Sequence, residues 1–283
     1  MLIRKVSTLL NSAPTIEGAG VHLKRAFGYH QLPKLDPFLM LDDFHTSNPD
    51  EYLAGFPWHP HRGIETITYI LEGFVEHGDS MGNKGVIGAG DVQWMTAGSG
   101  IIHQEMPKES PTCTMWGVQL WANLPAAQKM MTPRYRDVKA ADIPEVRLDD
   151  GVTIKVIAGT VGSFQGPIRD IVIDPELLDI SIPAGTSYHH SLPEGHTAFV
   201  YILSGEGFFD DGGVVYRPET VLLFERTGHV VRVETREFPV RFLFVAGKPL
   251  GEPVAWGGPI VMNTREELDI AFAEHKNGTF IKH

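Results

Sequence analysis

Short apolar, β-branched runs alternate along this chain with small and polar turn segments, the rhythm of many short strands. Thr66-Ile67-Thr68-Tyr69-Ile70-Leu71 is β-branched and aromatic, and it stops at Glu72-Gly73. The Gly-rich stretch from Gly85 to Asp91 reads as a turn before a strand at Val92-Gln93-Trp94-Met95. Met115 to Trp121 alternates apolar with small or polar residues, and a second strand-rich region runs from Val152 to Ala246. Between them, Pro125 to Pro144 is polar and carries Arg134, Arg136, Asp137 and Lys139, so it reads as a connection. One helix is signalled, near the end. Thr264-Arg265-Glu266-Glu267 fits a capping box, apolar residues Leu268, Ile270, Ala271 and Phe272 follow, and Gly278 can stop it.

The two strand-rich regions repeat each other. Tyr69-Ile70-Leu71-Glu72-Gly73 matches Tyr201-Ile202-Leu203-Ser204-Gly205 at an offset of 132 residues. A duplicated β-domain follows. The expected division is 1–133 for the first domain, 134–145 for a linker, and 146–283 for a second domain that includes the helix.

Chemistry concentrates in the first copy. His59 and His61 are two apart, so on an extended strand they point to one face. His103 and Glu105 have the same spacing. Two such pairs facing each other inside a small barrel offer three imidazoles and a carboxylate to one ion. That donor set suits a divalent first-row metal with open positions, iron(II) above all, and excludes a closed thiolate zinc site. In the second copy the repeat puts Ser191, Pro193 and Thr197 where His59, His61 and Glu65 stand, so it keeps the strand and loses the ligands. His189, His190 and His196 lie nearby but out of register, which points to surface or hydrogen-bonding roles.

Composition narrows the classes. Hydrophobic content of 42% and charged content of 21% are ordinary for a globular chain. A net charge of -11 with no basic run argues against direct binding of nucleic acid. The single cysteine, Cys113, permits no intrachain disulfide and reads as a packing residue in a buried strand. No signal-peptide pattern opens the sequence and no segment is apolar enough to span a membrane, so a cytoplasmic location is expected.

The order of these motifs is specific. His-x-His-x3-Glu, then Tyr-Ile-Leu-x-Gly, then Gly90-Asp91-Val92-Gln93-Trp94-Met95-Thr96-Ala97-Gly98 running to His103-Gln104-Glu105 resembles the pirin family of bicupins. Phe38 to Phe44 and Gln119 to Pro125 are also pirin-like. The resemblance implies an all-β fold of two antiparallel jelly-roll (cupin) barrels with a short C-terminal helix, and one iron held in the first by His59, His61, His103 and Glu105. The general cupin pattern would take its carboxylate from Glu65 instead. Glu65 is kept as an alternate ligand, a supporting partner of the ligands or a general base, and Glu105 as ligand and base. The implied activity is quercetin 2,3-dioxygenase-type cleavage of a small aromatic, flavonol-like substrate with O2. The alternative is an iron-dependent regulatory module that binds a protein partner without turnover. Phe56, Trp58, Trp94 and Met95 are candidate apolar walls for the substrate, against the plainer reading that they pack the core.

Overall fold

The computed structural model describes residues 2–31 and 34–283, and they form two compact units. Residues 13–140 and 250–283 make one unit; residues 1–12 and 141–249 make the other. The contiguous division expected from sequence differs from this at both ends of the chain. The strand Val6–Asn11 pairs with Thr220–Phe224, and the tail from Leu250 packs with the histidine-bearing unit. The named strands pair antiparallel throughout, but the sheets do not close into continuous barrels. Each unit is an open jelly-roll sandwich.

In the histidine-bearing unit a seven-stranded sheet runs in the spatial order Arg134–Val138, Val92–Thr96, Ile64–Glu72, Met115–Asn123, Phe38–Thr46, Val21–Phe27, Ala13–Glu17. A four-stranded sheet runs Phe56–His61, Ile101–Lys108, Phe74–Asp79, Lys84–Gly88. The linker expected at 134–145 is therefore half strand. Arg134–Val138 forms the edge of the large sheet, and an edge strand tolerates the polar, charged sequence that made it look like a connection. Lys84–Gly88 is likewise a strand, and the turn is confined to Ala89-Gly90. Cys113 lies in the turn before Met115–Asn123 with φ of +55°, not inside the strand.

Between the two sheets the core is built from Leu39, Met40, Ile64, Met95, Ile101 and Trp121, with a second cluster around Phe44, Tyr52, Ile70 and Val75. The other unit fills its sandwich almost completely with aliphatic and aromatic side chains, including Val200, Ile202, Phe209, Phe242 and Phe244. Its polar exceptions include Tyr188 and His190. His190 Nδ1 meets Tyr188 Oη at 3.0 Å and its Nε2 meets Glu176 at 3.1 Å, so both ring nitrogens are occupied within the protein.

The helix is Arg265–Lys276. Thr264 and Glu267 form the expected reciprocal cap, and Gly278 adopts φ of +73° just beyond the end. Leu268, Ala271 and Phe280 are buried with Ile260 and Met262 of the tail. Burying Phe280 contributes about 2 kcal/mol. No described helix is long and apolar enough to cross a membrane.

Candidate metal centre

The strands Phe56–His61 and Ile101–Lys108 pair antiparallel, with His103 opposite His59 and Ile101 opposite His61. Period-two alternation sends all three imidazoles to the interior face. Their candidate ligand atoms lie within 4.8 Å of one another. Ring centroids are 4.3 Å apart for His59 and His103, and 5.0 Å for His61 and His103.

The hydrogen bonds fix how two of these rings are protonated. His59 Nδ1 lies 2.9 Å from the Pro57 carbonyl and His61 Nδ1 lies 3.1 Å from the Pro259 carbonyl. A carbonyl only accepts, so each Nδ1 carries a proton and each neutral ring presents a lone pair at Nε2. Those two Nε2 atoms are 3.0 Å apart. Two lone pairs at that distance repel unless a cation lies between them or one ring is charged. Burial, followed by the neighbouring His59, holds His61 well below its usual value near 6.5, which disfavours the charged ring. His103 is lowered in the same direction by burial first, then by His61, His59 and His77. It is fully buried, and neither of its ring nitrogens has a hydrogen-bond partner. Three inward-facing imidazoles, one of them with both ring nitrogens unpartnered, fit a divalent first-row metal.

The structure places Glu105 beside this group but not within it. The register shifts by one residue between His103 and Glu105, so Glu105 sits opposite Phe56. Its carboxylate accepts from Thr68 Oγ1 at 3.1 Å and from Gln119 Nε2 at 2.9 Å. Gln119 is fixed in turn by Trp121 Nε1, which donates to its Oε1 at 2.9 Å. Glu105 lines the same cavity as His59 and His61.

Glu65 goes elsewhere. It pairs in regular register on the strand Ile64–Glu72, three residues before Thr68. Odd spacing puts the two on opposite faces, and Thr68 is the one that touches Glu105. Glu65 accepts from Thr96 Oγ1 at 2.6 Å, and burial raises its carboxyl above the usual range. Glu65, the alternate ligand of the general cupin pattern, therefore lies on the face of its strand opposite Thr68 and meets Thr96 instead.

A cavity of about 570 Å³ opens onto His59, His61 and Glu105. Its apolar walls include Tyr29, Phe56, Trp121 and Trp256, and the Arg25–Asp42 ion pair, bidentate at 2.8 Å, supplies a charged side. Of the expected walls only Phe56 lines it. Trp58 points outward and is 55% exposed, while Trp94 and Met95 are buried in the core. Sequence reasoning missed Trp256 and Pro259, which arrive from about 200 residues away. It also missed His77, whose Nε2 lies 3.1 Å from Asp79 and whose ring is 5.4 Å from that of His103. The two-residue spacing of His77 and Asp79, the same as in the ligand pairs, was the available signal.

An open β-sandwich whose inward-facing histidines end an aromatic cavity is a cupin-type fold with a donor set that could hold a metal. Residues 20–122 match the Pirin family model and residues 177–281 match that of the pirin C-terminal cupin domain. The chain is similar to a pirin-like protein of Caulobacter vibrioides, 43% identical over 99% of this chain and 100% of the relative. It is also similar to human pirin, 40% identical over 97% of this chain and 93% of that one. Among solved structures, a quercetin 2,3-dioxygenase from Acinetobacter baumannii superposes with a TM-score of 0.91 at 34% identity, covering 98% of both chains. The chain belongs to the pirin family.

Proposed function

We propose that this protein is an iron(II)-dependent dioxygenase that opens a flavonol-like aromatic ring with O2. The observation that carries the reading is the open, aromatic cavity of about 570 Å³ ending on the histidine cluster. A sealed cluster would suit a metal-sensing module better; an apolar approach to the ligands suits a planar substrate. The similarity to a quercetin 2,3-dioxygenase from Acinetobacter baumannii supports the substrate class.

His59, His61 and His103 would hold the metal, with Glu105 as the fourth protein ligand. When bound, iron supplies Lewis acidity toward a substrate hydroxyl and a redox partner for O2. The protein's own groups do the rest. Phe56, Trp121 and Trp256 bind the flat ring and exclude water. Glu105, held by Thr68 and Gln119, is the carboxylate placed to take the substrate's hydroxyl proton. Glu65 has no part in this scheme, because it is bonded to Thr96 on the far face.

The test is O2 uptake by fully iron-loaded protein with saturating quercetin. Uptake well above that of free iron, lost in Glu105→Gln, is expected. Uptake equal to free iron in both proteins would defeat the enzyme reading and favour the regulatory one.

A further inference from the structure

The residues that aim His61 come from the far end of the chain. Three consecutive contacts join the end of the ligand-bearing strand to the tail. His61 Nδ1 meets the Pro259 carbonyl at 3.1 Å. Arg62 forms a parallel bridge with Ile260, and its carbonyl accepts from the Val261 amide at 3.1 Å. Gly63 lies so close to the tail that a Cβ there would stand 2.0 Å from the Val261 carbonyl oxygen. With φ of +78°, only glycine allows this approach.

The same short segment anchors the helix. Arg62 is buried, yet its guanidinium reaches Glu274 at 2.8 Å and the Phe280 carbonyl at 2.8 Å, and it lies 4.2 Å from the centre of the Phe280 ring. Lys129 bridges Gly63 and Val261 by donating to both carbonyls at 2.9 Å. A ligand histidine is thus followed directly by the residue that docks the tail.

We infer that the tail from Pro259 to Phe280 is a positioning element for the metal centre, with Arg62 as the positioning residue that couples helix docking to the aim of His61. The inference rests on the metal-site reading above. The Pro259 carbonyl keeps the proton of His61 on Nδ1 and turns Nε2 toward His59. Undocking the tail removes that acceptor and frees the ring to rotate. Groups that orient a ligand imidazole change metal affinity by roughly 10- to 100-fold. Coupling is reciprocal: if docking favours metal binding, metal binding favours docking to the same degree. The arrangement is a clasp whose two halves, His61 and Pro259, lie 198 residues apart, and metal binding tightens it.

The probe is Co(II) added to the metal-free, full-length protein, with affinity read from its visible absorption and tail docking read from amide hydrogen exchange. In wild type, Co(II) should slow exchange at Ile260, Val261 and Met262 by about 10-fold or more, following that reciprocity. Arg62→Met and the milder Glu274→Gln should weaken Co(II) and alter its spectrum, Arg62→Met by roughly 10- to 100-fold. A Val200→Ala variant destabilises the core of the other unit without touching the clasp, and its Co(II) affinity should match wild type. If Co(II) binds wild type but leaves tail exchange unchanged, the inference is overturned and the metal site stands. The same holds if Arg62→Met and Glu274→Gln lose no more affinity than Val200→Ala. If Arg62→Met does not fold, Glu274→Gln and the wild-type exchange data decide. If Co(II) binds wild type no better than a His59→Ala, His103→Ala double variant, the metal reading itself fails and takes this inference with it.

Discussion

Lys129 is the buried cation that most directly tests how this unit is held together. Its ammonium donates to the Gly63 carbonyl at 2.9 Å, Asn123 Oδ1 at 2.7 Å and the Val261 carbonyl at 2.9 Å. All three N–H bonds are used, but every partner is neutral. Burial therefore wins, and it pulls the ammonium down from 10.5 to about 7. That gap corresponds to roughly 5 kcal/mol between the folded and unfolded chain. The group's folded value is depressed, so the unfolded chain binds its proton more tightly. Its contribution to stability is complete above 10.5 and is lost as pH falls through about 7. Between about pH 7.5 and 9.5 the unfolded chain holds nearly one more proton than the folded one, which gives wild type roughly 2.5 kcal/mol. The assay is urea unfolding of wild type and Lys129→Met across that window, taking the difference between them so that other titrating groups cancel. The difference should shift in favour of wild type by that amount as pH rises. A flat difference would show that Lys129 stays charged in the folded protein, and that three neutral acceptors outweigh the cost of burial.

The other predictions concern the site and its surroundings. His59→Ala combined with His103→Ala should remove bound metal, measured by elemental analysis of purified protein; equal metal in both would defeat the ligand assignment. Gln119→Leu releases one oxygen of Glu105, and turnover of the iron-loaded protein should fall by roughly 10- to 100-fold while the fold, checked by circular dichroism, is retained. Glu65→Gln should leave metal content and O2 uptake near wild type, because that side chain faces Thr96; a large loss of uptake would restore it to the site. His190→Leu leaves Tyr188 and Glu176 without their partner and should cost about 1 to 3 kcal/mol in thermal or urea unfolding, with metal content unchanged.

The sequence by itself determined a good deal. Strand parity is a local property, so His59 with His61, and His103 with Glu105, declared themselves as inward pairs without any tertiary information. The repeat of Tyr-Ile-Leu-x-Gly declared two related β-domains, and the Thr264–Glu267 cap declared the helix, because its reciprocal bonds span only three residues. Tertiary structure decided whatever depends on register, on edges or on distant segments. The extra residue between Phe56 and His59 brings Phe56 opposite Glu105, and no spacing rule announces a bulge. Glu65 lies on a separate strand that begins after the turn at Gly63, where φ of +78° interrupts the alternation of the strand carrying His61. The polar edge strand at Arg134–Val138 resembled a linker because only one side of it pairs. Above all, Pro259 and Trp256 reach the site because the tail crosses back to the first unit. That choice is made by long-range contacts at Arg62, Gly63 and Lys129, which leave no periodic trace in the chain.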